Sequence, residues 1–372
     1  MRRMQWFVTW VIPRLRGVMR SREDRPQRVL IIYDTSTQPF SVGDILVCQE
    51  ASLVLCERYG VDVVDFAILY DPKKPVVERG TFAAAVTSEN VMYHIASLLP
   101  LAQVNQRLGS FFVFNSRDQI VRWMADSANQ YHVWPSGWQM GARIYLTSVV
   151  FNDLLVEHYR QHGRIPNLSC RPHLREWAAG FYREQVGAKM AVTINLRNNP
   201  GWDVCRNSDI ESWVTLFRYC ESRYLVSFII ICAKSEIDAR LRECGNVILA
   251  KDHFTSVEQD MALIDMSAMH MGAGSGPSTM AFWGNKPYLI IDNGYNTESD
   301  FYQRPDMIER IDDRMRRFWF AGAHQRIALG LESGDLLIRE FQELIRGVDA
   351  AAWASSIEQG SVGAGALNSW LR

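Results

Sequence analysis

From residue 28 onward the chain alternates between two patterns. Short runs are apolar almost without a break: "RVLIIYD" (28–34), "VDVVDFAILYD" (61–71) and "SFFVFNS" (110–116) in the first half. "MAVTINL" (190–196), "YLVSFIIICAK" (224–234), "NVILAK" (246–251), "AMHMG" (268–272) and "PYLIID" (287–292) follow in the second. Runs of this length bounded by turn residues read as strands buried on both faces. Between them lie helical patterns. "DILVCQEASLVLCERYG" (44–60) has apolar residues at 45, 46, 53, 54 and 55 and a stop at Gly60. "SENVMYHIASLLPLAQVNQRLG" (88–109) predicts a helix capped by Ser88 and broken at Pro100. "RDQIVRWMADSA" (117–128) and "ARIYLTSVVFNDLLVEHYRQHG" (142–163) predict two more. In the second half, helices are expected at 173–187, at 209–222 with Ser208 as cap, at 235–245, at 256–266 and at 277–284. Residues after about 305 read as mainly helical, and the tail from Ser355 as frayed.

Strands alternating with helices imply parallel sheets covered on both faces. The pattern breaks at "RIPNLSCRP" and then resumes, which suggests two blocks. The expected division is 1–26 as a basic N-terminal segment, 27–167 and 168–345 as two Rossmann-like α/β domains, and 346–372 as a tail. A chain of 372 residues suits two such domains. Ligands of such sheets bind at the carboxyl ends of strands, so a cleft between the domains is the expected site.

Composition narrows the class. The net charge of −1 offers no global field for nucleic acid, and no nucleic-acid partner is expected. Seven cysteines at irregular spacing form no CxxC pair, which excludes a zinc knuckle and a disulfide framework and suggests a reducing compartment. No apolar run reaches the roughly 18 residues of a membrane span. "MRRMQWFVTWVIPRLRGVMRSR" (1–22) holds six arginines, no acid, and Trp6, Phe7 and Trp10. That composition suits a segment lying on an anionic membrane surface, as it also suits an ordinary exposed segment. The expected location is cytoplasmic, peripheral on the inner face of the cell membrane if this segment docks there.

The densest chemistry lies in "MHMGAGSGPSTMAFWGNKPYLIIDNG" (269–294). Gly274 and Gly276 permit close backbone approach, Pro277 is preset for a first helical turn, and Ser275, Ser278 and Thr279 offer hydroxyls. Such a turn suits a phosphate, or is a strand-to-helix turn with no ligand. "SGPSTMAFWGNKPYLI" resembles a signature near the end of the C-terminal domain of GT-B glycosyltransferases, closest to the heptosyltransferase type. Ser275, Gly276 and Pro277, then Ala281, Gly284 and Pro287, hold the matching places. More distantly, "TINLRNNPGWDVCRNSDIESWVTLF" is similar to the strand-end arginine region of fucosyltransferases as well as to the heptosyltransferase loop.

The resemblance implies a GT-B fold, two Rossmann-like domains facing across a cleft, and transfer of a sugar from a nucleotide-sugar donor. The expected acceptor is a cell-envelope glycan or a lipid-linked saccharide. It implies inversion without a metal; no DxD triplet occurs, and no cofactor beyond the donor substrate is expected. The turn from Gly274 to Thr279 would cradle the diphosphate, with Arg197 and Arg206 taking phosphate oxygens. "FSVGDILVCQEASLVL" is similar to the family's Gly-Asp turn, which makes Asp44 the candidate base, with Glu50 as its nearby rival. His253 and Glu258, in and after the loop "LAKDHFTS", would reach the base or ribose. His270 reads as a satisfied core residue. Two departures matter: Gly274 stands where the family usually has an acid, and the helix lacks the glutamate of retaining relatives. A nucleotide-sugar epimerase on the same fold, or a non-catalytic nucleotide-sugar or glycan-binding protein, therefore stays open. No Walker loop is present and no GxGxxG follows the first strand, which counts against kinases and dinucleotide enzymes, and without a GxSxG elbow no serine nucleophile is indicated.

Overall fold

The computed structural model describes residues 27–38, 41–70, 90–127, 131–138, 154–200, 204–292 and 308–359. The basic segment 1–26, the Ser88 cap, the first part of the helix expected at 142–163 and residues 360–372 lie outside these. Among the described residues, no helix is long and apolar enough to cross a membrane.

The first sheet joins β1 (Arg28–Asp34), β2 (Val63–Leu69), β3 (Leu108–Phe114) and β4 (Tyr131–Trp134) in the order β3-β2-β1-β4. All its pairings are parallel. Strand β1 is buried from Val29 to Asp34, which is why its sequence shows no alternation. Helix α1 (Val42–Tyr59) returns from β1 to β2. Ser41 caps it by accepting from Asp44 N at 3.4 Å, and Gly60 closes it in the left-handed conformation. After it come α2 (Val91–Leu98), a 3-10 turn Leu99–Gln103 containing Pro100, and α3 (Arg117–Ser127).

Helix α1 is buried all round from Ile45 to Cys56, more than an amphipathic helix requires. The first sheet covers one side. On the other side α8 (Thr279–Phe282) of the second half packs against it, and α5 (Pro172–Phe181) and α7 (Val257–Met266) belong to the same apolar cluster. One apolar cluster thus runs from Val29 through Leu46 to Met261, Met280 and Tyr288. A polar contact ties the same seam: Gln106 Oε1 accepts from Ser169 N at 3.0 Å. Between α1 and α5 the chain forms α4 (Val156–His162).

The second sheet has the order β10-β11-β12-β9-β8-β5-β6-β7. Its parallel core is β5 (Met190–Asn195), β6 (Val226–Ile231), β7 (Val247–Leu249), β8 (Met269–Ala273) and β9 (Tyr288–Asp292). Several sequence expectations are corrected here. Residues 308–329 are three strands, β10 (Ile308–Arg310), β11 (Met315–Phe318) and β12 (Gln325–Leu329), with β10–β11 and β11–β12 antiparallel. The sheet is therefore mixed. Helix α6 (Ile210–Glu221) is preceded by Asp209 as cap residue, while the Ser208 hydroxyl is spent on Arg197 N. The helix expected at 235–245 is two 3-10 turns, Lys234–Glu236 and Ala239–Glu243. After β12 come α9 (Gly334–Ile345) and α10 (Ala350–Gln359). The tail is ordered as helix through Gln359, because Trp353 Nε1 donates to Met266 O at 2.8 Å and Arg183 Nη1 to Ile357 O at 3.2 Å.

Candidate functional site

The carboxyl end of β5 organises the site. Asn195, buried, donates through Nδ2 to Ile231 O at 2.8 Å on β6. Its Oδ1 accepts from Ser275 Oγ and lies 3.3 Å from Ser278 Oγ, across on the glycine-rich turn after β8. Gly272 pairs with Asn195, and a Cβ there would fall 2.3 Å from Asn195 O; only glycine lets the two strands close at this point.

Behind the turn lies a buried polar chain. His270 on β8 stands between Thr193 Oγ1 (3.0 Å from Nδ1) and Ser278 Oγ (3.2 Å from Nε2). Ser278 Oγ donates to Ala273 O at 2.8 Å. A neutral imidazole satisfies this geometry, with Nδ1 accepting and Nε2 donating. Burial holds its pKa down to about 3. The expectation of a satisfied core histidine matches these contacts, and the residue also braces the turn.

The turn itself differs from a helix terminus. Pro277 precedes α8 and accepts from Met280 N at 3.0 Å, and α8 is a single turn of four residues. The amides of Gly274, Thr279, Met280 and Ala281 are taken by Ile291, Gly276, Pro277 and Ser278 carbonyls. The hydroxyls of Ser275 and Ser278 point inward to Asn195 and Ala273. Four residues with their amides so engaged carry no useful macrodipole. Any anion here is held by side chains and the remaining backbone.

Arg206 is the cation at hand. It ends the 3-10 turn Val204–Arg206, and its Nη2 donates to Gly274 O. The loop that delivers it is stapled at its base. Ser208 N donates to Arg197 O at 2.8 Å, and Asn207 Nδ2 to Asn199 O at 2.8 Å. Arg197 is buried at the root of this loop.

From the first half, the N-terminus of α1 meets the turn. A Cβ on Gly43 would lie 3.2 Å from Thr279 Oγ1 and 3.4 Å from Gly276 Cα. Asp44, the next residue, is half-buried in the first turn of α1. The two glycine-containing stretches singled out in the sequence are thus in contact. Glu50 faces the core instead. It is fully buried, and neither carboxyl oxygen has a hydrogen-bond partner among the described residues. Burial, then the charge of Glu57, pushes its carboxyl well above the ordinary range. Its neighbours Gln49 and Ser52 are satisfied by Asn105 Nδ2 at 2.9 and 2.8 Å.

His253 and Glu258 lie after β7. His253 is exposed and sits edge-on to Phe181 at 5.3 Å between ring centroids. Glu258 is half-buried in the first turn of α7, with Oε2 enclosed and without a hydrogen-bond partner among the described residues. Lys251 is committed to Asp260 at 2.6 Å, and Asp252 to Arg242. Burial raises the Asp260 carboxyl to about 6 despite that ion pair. No group of three or more metal-ligating side chains occurs among the described residues. A cleft of about 770 Å³ opens between the β10–β11 hairpin and α9, where Arg310, Arg317, Arg326 and Arg339 pair with Asp313, Glu309 and Glu340.

Sequence reasoning missed Asn195 and the bracing role of His270. The signal was present in outline: a polar residue ending an otherwise apolar strand, "MAVTIN", beside a histidine in "AMHMG".

No protein-family model matches the chain, and no curated protein matches it in sequence. Solved structures do match in shape. A glycosyl transferase family 9 protein from Veillonella parvula overlays at a TM-score of 0.54, with 11% identity, over 87% of this chain and 99% of its own. ADP-heptose lps heptosyltransferase II of E. coli overlays at 0.52, with 11% identity, over 86% and 99%. The chain has the fold of the GT-B glycosyltransferases, as the heptosyltransferase resemblance implies.

Proposed function

We propose that the protein is a glycosyltransferase that moves a sugar from a nucleotide-sugar donor to a hydroxyl of a cell-envelope glycan or lipid-linked acceptor. The observation that carries this reading is the contact between Gly43 and Gly276. It sets a carboxylate, Asp44, beside a glycine-rich turn whose carbonyl is held by an arginine, Arg206. Direct displacement at an anomeric carbon needs those two parts close together: a base for the attacking hydroxyl and a cation for the leaving diphosphate.

In this reading Asp44 takes the proton of the acceptor oxygen as it attacks the anomeric carbon. The bond to the donor's β-phosphate oxygen breaks, and the nucleoside diphosphate leaves toward Arg206 and the 274–279 turn. Arg197, at the root of the same loop, contributes positive charge. Inversion follows from a single displacement, with no metal in the scheme. One neighbour is named for an ADP-heptose donor, which makes ADP-sugars the first donors to try. Residues 1–22 would hold the enzyme to the surface that carries a lipid-linked acceptor.

The test is nucleoside diphosphate release from a panel of nucleotide sugars, with and without acceptor extracts. Release only with acceptor supports transfer. Interconversion of sugars without acceptor means an epimerase, and binding without release means a non-catalytic protein.

A further inference from the structure

No step of the proposed transfer uses the cleft of about 770 Å³ beside α9. Five arginines line it, Arg310, Arg314, Arg317, Arg326 and Arg339, against four carboxylates, Glu309, Asp312, Asp313 and Glu340. The ion pairs leave much of this guanidinium unspent. Arg317 donates through Nε to Glu309 Oε2 at 2.7 Å, and Arg339 through Nε to Glu340 Oε1 at 3.0 Å. Nη1 and Nη2 of both residues make no hydrogen bond among the described residues. Arg314, exposed in the hairpin turn, makes no side-chain hydrogen bond or ion pair there. Glu340 fixes the arrangement. It is 4% exposed, and it holds Arg326 of β12 as well as Arg339 of its own helix. A carboxylate so enclosed persists only with its partners in place, so the guanidiniums are positioned by the fold.

The cleft stands apart from the glycine-rich turn. Alternation along β11 puts Met315 and Arg317 on one face of the sheet and Arg316 and Phe318 on the other. Met315 packs in one cluster with Leu337 and Phe341 of α9. Phe318 belongs instead to the cluster that reaches Val29 and Leu46 of the first half. Arg317 therefore lies on the α9 face, turned away from the first half. Across the sheet, β9 and β12 separate β8, which ends in the glycine-rich turn, from β11. Three strand spacings amount to roughly 14 Å.

A guanidinium pinned at Nε still presents Nη1 and Nη2 as a fork, the geometry that takes two oxygens of a phosphate. Two such forks from different elements, with Arg314 beside them, suit the three oxygens of a phosphate better than the two of a carboxylate. A bare phosphate would fill only a small part of the cleft, so the group arrives on a larger molecule. We propose that the cleft is a second ligand site, where Arg317, Arg339 and Arg314 bind the phosphate of a phosphorylated saccharide or of a lipid headgroup. The inference does not depend on the transfer reaction. Losing the two forks weakens phosphate binding by about 10-fold or more.

The test is hydrogen–deuterium exchange of the full chain, read locally over β10 to β12 and α9. The probes are inorganic phosphate, glucose phosphate, and vesicles of phosphatidylcholine alone or mixed equally with phosphatidylglycerol. At least one phosphate-bearing probe should slow exchange in both stretches, and phosphatidylcholine alone should slow it less than the mixture. The half-saturating concentration should rise about 10-fold or more in the double variant Arg317→Gln with Arg339→Gln, and should not change in Arg206→Ala. Both arginines are partly exposed, at 32% and 62%, so the double variant should melt close to wild type. Arg314→Gln touches no partner and should weaken the same protection without any change in melting. Protection by glucose phosphate supports the saccharide source, and protection by the mixed vesicles alone supports the lipid source. The proposal falls if no probe slows exchange at these stretches in wild type. It also falls if the double variant and Arg314→Gln are protected as wild type is, or if Arg206→Ala removes the protection.

Discussion

Gly276 meets the Gly43 end of α1 so closely that it leaves no room for a side chain of its own. A Cβ on Gly276 would stand 2.9 Å from Val42 Cβ and 3.1 Å from Gly43 N, both on α1. The second cannot move without shifting the helix. Gly276→Ala should therefore cost about 1–3 kcal/mol as overpacking. It should also weaken nucleoside diphosphate binding at least tenfold by pushing the turn off α1. Gly43→Ala meets only the Thr279 hydroxyl at 3.2 Å and an ordinary contact at 3.4 Å. Alanine also gains helix propensity there, so this change should stay within about 0.5 kcal/mol of wild type. Urea denaturation midpoints of the two variants check the asymmetry; equal midpoints would remove the steric basis of the contact.

Asp44 and Glu50 sit on one helix in opposite environments, and the substitutions should separate them. Asp44→Asn removes the candidate base and should lower turnover by about 10²–10⁴-fold, with nucleotide affinity changed little. Glu50→Gln should leave turnover within a few-fold, because Glu50 is enclosed by the core. Steady-state kinetics with a working donor and acceptor decide it, and the reverse ranking would move the base to Glu50.

Glu50 also makes a prediction about stability. Its folded pKa lies above the ordinary 4.5, so the native state holds a proton that the unfolded chain releases. Between those two values the native state binds more protons, and stability falls as pH rises. Its limiting slope is about 1.4 kcal/mol per pH unit. Glutamine keeps the shape and cannot ionise. Glu50→Gln should therefore match wild type near pH 4 and exceed it at pH 8. A constant difference across that range would mean that Glu50 does not titrate on unfolding.

The parallel core was legible because strands buried on both faces are written as unbroken apolar runs, as β1, β5, β6 and β9 are. Strands β10 and β11 were not, because they carry Glu309 and Arg310 exposed and Arg316 and Arg317 half-buried, and only Ile308, Met315 and Phe318 are buried. Four-residue edge strands such as β4 hold too few positions to show a period. Gly43, Asp44, Arg206 and Gly274 could be singled out as candidates because they follow strands in short motifs. Asn195 was not, since its role depends on β8 lying beside β5, a neighbour supplied by topology.

His270 links the core of the second half to the turn, and its protonation should be felt in both. Its folded pKa is about 3, against 6.5 for an ordinary imidazole. Between those values the unfolded chain binds the extra proton, so the group's stabilising contribution is complete above pH 6.5 and is lost as pH falls toward 3. His270→Gln keeps a donor and an acceptor but cannot titrate. It should flatten that acid limb of the stability curve while costing about 1–3 kcal/mol at pH 7 through imperfect pairing with Thr193 and Ser278. Because Ser278 shares Asn195 with Ser275, the same variant should loosen the turn and raise the KM for the donor more than it lowers kcat. Denaturation midpoints from pH 3 to pH 8, read beside donor KM, test both halves. An unchanged acid limb would mean that His270 is not the group that titrates, and an unchanged KM would confine it to the core.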